Sequence, residues 1–171
     1  MRLTEFNKLT RVQGRGVSQW KKLLIDHYVD YMFTQFNDSF PLTVKLKKMR
    51  KGLNGSMELK LINSGDNVIA VSSELGVPLL LTLIAHEAVH IKQVNDGFLS
   101  LDDSGIIWKG KTYITAQEYA VLDYETYAQL PWEHEAITKS KLIKSEYIQK
   151  KMYKELAGQD KMLDYVIDIG F

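Results

Sequence analysis

Apolar residues recur at helical spacing through residues 17–36, at Trp20, Leu23, Leu24, Tyr28, Tyr31 and Met32. Positions three and four apart share a helix face, so this stretch predicts an amphipathic helix, closed by Asn37-Asp38-Ser39 and Pro41. The period then drops to two. Leu42, Val44 and Leu46 alternate with Thr43, Lys45 and Lys47, and Met57, Leu59 and Leu61 alternate within residues 56–62. Val68-Ile69-Ala70-Val71 is a short, strongly β-favouring run. Turn residues at Asn54-Gly55 and at Asn63-Ser64-Gly65-Asp66 separate these runs, which predicts a small, mostly antiparallel sheet.

Residues 77–94 are apolar almost all round, with Pro78 suited to a first turn and Asn95-Asp96-Gly97 as a stop. Such a helix is expected at the centre of a core. Residues 106–113 read as a hairpin turning at Lys109-Gly110, and residues 116–129 are ambiguous between helix and loop. A long helix is expected from Pro131 to about Leu156, before Gly158. Residues 1–16 suggest a loosely ordered arm, and residues 159–171 an amphipathic tail able to pack back on the body. The sum is one α+β domain, in keeping with 171 residues.

Composition narrows the chemistry. The chain has no cysteine, which excludes disulfides and leaves His, Asp and Glu as the only metal ligands. A net charge of +1 weighs against a nucleic-acid partner. Two lysine-rich stretches, Lys45 to Lys51 and Lys139 to Lys154, read first as solvated faces. No apolar run approaches the ~20 residues of a membrane span, and the N-terminus lacks a signal-type apolar segment, so a cytoplasmic protein is expected.

The sharpest feature is His86-Glu87-Ala88-Val89-His90, on the apolar helix. Histidines four apart lie one turn apart on one face and can bind one metal ion. Glu87, just past the first, is positioned as a general base rather than a ligand. Two imidazoles and a carboxylate on a buried helix are costly unless something satisfies them. The bland alternative is a pair of hydrogen-bonded core histidines. A catalytic zinc wants a third protein ligand. Glu133 is preferred, because Ala136 on the same side would let its helix approach closely. Glu135, about 200° away from Glu133 around the helix, is the fallback. His134 ranks below Glu133 but above Asp96, which reads as part of a helix stop.

The His86 to His90 motif followed by a glutamate-bearing helix resembles the gluzincin group of zinc metallopeptidases. Glu133-His134-Glu135-Ala136 is similar to the E-x-x-A segment of CaaX-type peptidases and their soluble relatives, whose first Glu binds zinc. That resemblance implies a zincin-like fold, Zn2+ at His86, His90 and Glu133, Glu87 as catalytic base, and a protein or peptide substrate. Those relatives carry an Asp after the Ala to support a ligating histidine; here it is Ile137, so that support is unassigned. Trp108 to Tyr113 together with Tyr127 to Ala136 is also similar to small bacteriophage metallopeptidase-like proteins, over about residues 66–136, which implies a viral or prophage origin. A catalytically silent interaction protein of the same fold is the alternative. Val68 to Val71 is the candidate edge strand for extended substrate. Tyr127, Tyr124 and His134 are candidate oxyanion donors. The C-terminal tail is a candidate cover for the cleft.

Overall fold

Alternation decides how the first strands lie. The computed structural model describes residues 10–49, 55–57 and 67–169. In β2 (Leu42–Lys47), Leu42, Val44 and Leu46 are buried while the intervening residues reach toward solvent. β4 (Asn67–Ser72) buries every residue from Val68 to Ser72, on both faces. Burial on both faces marks an interior strand, and β4 indeed lies between β2 and β3 (Gly55–Met57).

The sheet departs from the antiparallel expectation. Its order is β1-β2-β4-β3, where β1 is Thr10–Gln13. β1 pairs parallel with β2, Thr10 opposite Leu42, and β2 pairs parallel with β4, Leu42 opposite Asn67. Among the described residues of this sheet, only β3 and β4 are antiparallel. Two causes act. First, α1 (Gln19–Phe36) is a crossover between β1 and β2, the connection that parallel strands require. Second, β4 slots between β2 and β3, so the first and third of three alternating strands become neighbours. Thr10 to Gln13, expected in a loose arm, is therefore a paired strand; the rest of the 56–62 run beyond Met57 lies outside the described residues.

α2 (Val77–Asn95) opens at Pro78 and stops at Asp96-Gly97, where Gly97 takes φ +74°. Leu80, Leu81, Ile84, Ala85 and Ala88 join residues of α1, β2 and β4 in one apolar cluster. Beyond it, β5 (Leu99–Asp102), β6 (Gly105–Trp108) and β7 (Lys111–Ile114) form a second, antiparallel sheet. The expected turn at Lys109-Gly110 is present, with φ +51° and +80°; positive φ at both positions suits the twist of a two-residue hairpin. Two short helices resolve the ambiguous stretch. α3 (Ala116–Ala120) starts at a Thr115–Glu118 capping box, and α4 (Tyr124–Gln129) at Asp123, which accepts from Thr126 N at 2.7 Å.

α5 (Pro131–Gln149) packs along α2 and buries Trp132, Glu133, Ala136, Ser140, Ile143 and Tyr147, the i, i+3, i+4 stripe of a half-buried helix. It ends earlier than expected. Lys151 adopts φ +53°, and a 3-10 turn, Met152–Leu156, follows with Tyr153 and Leu156 buried. α6 (Lys161–Ile169) then packs on α1 and that turn through Leu163 and Ile167. The described part of the tail, through Ile169, does fold back, on α1 and the 3-10 turn.

Candidate metal centre

The helical period of α2 carries His86 and His90 to one face, with ring centroids 4.7 Å apart and ring planes at 89°. Their Nε2 atoms are 3.1 Å apart. Glu133, in the first turn of α5, directs Oε2 to 3.3 Å from each of those nitrogens. A helix N-terminus favours a carboxylate there. Glu133 is 3% exposed and His90 6%. Among the described residues these three form the one His/Asp/Glu group fit to hold a metal ion.

The donor geometry can be tested against a metal. A tetrahedral ion with bonds of about 2.0–2.1 Å holds its donors roughly 3.3–3.4 Å apart. The triangle here has edges of 3.1, 3.3 and 3.3 Å. Glu133 Oε2 is moreover buried without a hydrogen-bond partner. Such an oxygen is costly unless a further group satisfies it. Two imidazoles and one carboxylate therefore fit a divalent cation in both chemistry and spacing.

Electrostatics tie the three together. Burial works to raise the Glu133 pKa, but the His86 and His90 imidazoles outweigh it and lower it to about 2. Burial likewise opposes charge on His90, yet Glu133, then Gln93 and Glu87, raise its pKa on balance. The hydroxyl of Tyr127 also faces Glu133, and burial followed by that carboxylate raises its pKa well above the ordinary phenol value. Tyr119, whose ring is 6.0 Å from that of Tyr127, is raised in the same way, by burial and then Glu133.

The support sought for a ligating histidine comes from an unexpected quarter. Gln93 Oε1 lies 2.9 Å from His90 Nδ1, while Gln93 Nε2 donates to Trp132 O at 3.0 Å and to Glu135 Oε2 at 2.9 Å. Sequence reading missed both Gln93 and Tyr119. A polar residue three after the second histidine, in an otherwise apolar helix, was the available signal.

The other candidates separate cleanly. Glu135 pairs with Lys139 and Gln93, off the triangle. His134 is exposed, and Asp96 accepts from Lys92 at 2.9 Å at the end of α2. Of the oxyanion candidates, Tyr124 is 76% exposed and His134 points to solvent, whereas Tyr127 lines the cleft. Val68 to Val71 is not an edge, since β2 and β3 flank it. His27 is structural: Nδ1 is 2.8 Å from the Tyr147 hydroxyl and Nε2 is 3.2 Å from Glu155. Lys139 and Lys150 pair with acids four residues earlier on α5, as solvated helix faces do.

Glu87 and the three ligand candidates line one cleft of about 390 Å³. Val94, Leu99, Leu101, Ile106, Ala116 and Trp132 make much of its remaining wall, and none of the described side chains of α6 lines it. No helix among the described residues is long and apolar enough to cross a membrane. Comparison with protein-family models, with curated proteins and with solved structures finds no match.

Proposed function

We propose that the chain is a zinc-dependent peptidase of gluzincin type, with His86, His90 and Glu133 as metal ligands and Glu87 as general base and acid. The observation that supports it most is the triangle of donor atoms with edges of 3.1, 3.3 and 3.3 Å, bordering a cleft that Glu87 also lines. Imidazole and carboxylate donors suit zinc, and three protein ligands with one position open is the arrangement of catalytic rather than structural zinc. When bound, the metal supplies a Lewis acid that polarises the scissile carbonyl and acidifies water.

The chain's own residues do the rest. Glu87 takes a proton from the attacking water as its oxygen bonds to the carbonyl carbon. As the C–N bond breaks, Glu87 returns that proton to the departing amine, so charge and atoms balance. The Tyr127 hydroxyl borders the same space and is the candidate donor to the oxyanion. The substrate is a peptide, bound in the apolar cleft.

The test is metal content and peptide hydrolysis, measured on wild type, His86→Ala and Glu87→Gln. About one zinc per chain is expected in wild type and in Glu87→Gln, and little in His86→Ala. Glu87→Gln should lose about 10²- to 10⁴-fold in hydrolysis while keeping its metal. Wild-type hydrolysis by Glu87→Gln would defeat the mechanism. Absence of zinc from wild type after incubation with the metal would return the histidines to the core and favour an interaction protein.

A further inference from the structure

We propose that Gln93 is a positioning residue that readies His90 for the metal by dictating which ring nitrogen carries the proton. The inference rests on the metal-centre reading and extends it to a residue outside the ligand set.

A glutamine amide has one acceptor oxygen and one nitrogen with two protons to give. Both protons of Gln93 are committed, one to the main-chain oxygen of Trp132 at 3.0 Å and one to Glu135 Oε2 at 2.9 Å. Neither partner can donate in return: one is a carbonyl, the other a carboxylate paired with Lys139. Turning the amide over would set its oxygen against two oxygens. Its orientation is therefore determined by its partners.

Gln93 Oε1 must then face His90 Nδ1, 2.9 Å away, and an amide oxygen only accepts. Nδ1 is thus the nitrogen that bears hydrogen. In the neutral ring this leaves Nε2 as a bare lone pair, and Nε2 is the atom 3.3 Å from Glu133 and 3.1 Å from His86. Gln93 is 3% exposed, so water does not stand in for these bonds. The choice of tautomer by the partner of the other nitrogen is a general property of ligating histidines. Here an amide on the histidine's own helix makes that choice, and Glu135, unused as a ligand, anchors the amide from α5.

Long-range 1H–15N spectra of protein with 15N-labelled histidine test this directly. They are recorded on metal-free protein at alkaline pH and again after zinc is added. His90 is expected as the Nδ1–H tautomer in both, with zinc perturbing Nε2. Gln93→Leu removes the acceptor; a mixture of tautomers is expected, with zinc binding weakened about 10- to 100-fold. The double variant Gln93→Glu/Glu135→Gln keeps an acceptor facing Nδ1 and moves the amide donor across to α5; because it leaves Trp132 O without its donor, it should recover the tautomer but only part of the affinity. The tautomer read in that variant, which a merely structural bridge between α2 and α5 would not set, is what separates the two roles, and it stands even where Gln93→Leu fails to fold. An Nε2–H ring in the wild type, zinc bound through Nδ1, or undiminished zinc affinity in a folded Gln93→Leu would overturn the proposal. A wild type that takes up no zinc would instead defeat the metal-centre reading, while the metal-free spectra would still decide the tautomer.

Discussion

A carboxylate as buried as Glu133 and an imidazole as buried as His90 hold each other's charge. Desolvation alone would neutralise both; their contact reverses it, lowering the pKa of Glu133 to about 2 and raising that of His90. The sign matters for metal binding, because a proton on the ligating nitrogen must leave before a metal can take its place. A ring with a raised pKa keeps its proton to higher pH, whereas Glu133 is already ionised above about pH 2 and adds no limit in the neutral range. Apparent zinc affinity should therefore rise through the ordinary imidazole range near ~6.5 and continue rising above it. Competition against a chromophoric chelator over a pH series reads this; levelling off below the ordinary imidazole value would contradict the coupling. At this scale the histidines were legible because four-residue spacing defines a helix face in advance of any fold. Glu133 was separable from Glu135 for the same reason. Gln93 and Tyr119 were not, because each acts through atoms on another element and no local period encodes that.

Two helices carry the site, and small residues are buried on both. Ala136, one turn beyond Glu133, is fully buried on the packed face of α5, and Ala85 and Ala88 are fully buried on α2. A larger side chain at Ala136 has no space to enter without moving α5, and α5 carries Glu133. Ala136→Leu should thus cost about 1–3 kcal/mol of stability and weaken zinc binding as well, read by urea denaturation beside a zinc titration. Loss of stability with zinc affinity intact would mean that this packing does not position Glu133. Element by element, periodicity identified α1, β2, β4, α2 and the Lys109-Gly110 hairpin, since each has a one-faced or continuous apolar run. It did not reveal strand order. β1 is four residues, Thr10–Gln13, with one buried residue, too short to show a period, and without β1 the crossover role of α1 is invisible. The end of α5 was missed for a different reason: the apolar pattern continues through Tyr153 and Leu156, but Lys151 turns the backbone into the left-handed region.

The whole molecule puts two unlike surroundings on either side of the metal candidates. Toward α5 the space is closed by the Gln93, Trp132 and Glu135 contacts. Toward the second sheet it opens into the cleft, where Leu99, Leu101 and Ile106 from β5 and β6 face Val94 of α2 and Trp132 of α5. α6, the one element once expected over this opening, packs on α1 instead, and none of its described residues lines the cleft. Among the described residues no lysine or arginine lines that wall, and its acidic members are the site residues Glu87 and Glu133. A charged side chain entering there would lose its hydration without gaining a partner. A large apolar one would bury its surface, which is worth about 1.5–3 kcal/mol for a leucine or phenylalanine. At 1.4 kcal/mol per tenfold, peptides with such a residue beside the scissile bond should be cut about 10- to 100-fold faster, in kcat/KM, than alanine counterparts. Sequencing the products of a random peptide library by mass spectrometry measures this. Ile106→Asp should erase the preference without changing zinc content, because Ile106 lies on β6 in the cleft wall and is not one of the three metal-ligand candidates. Cleavage that favours acidic or basic residues at that position would show that substrate approaches from another side of the metal.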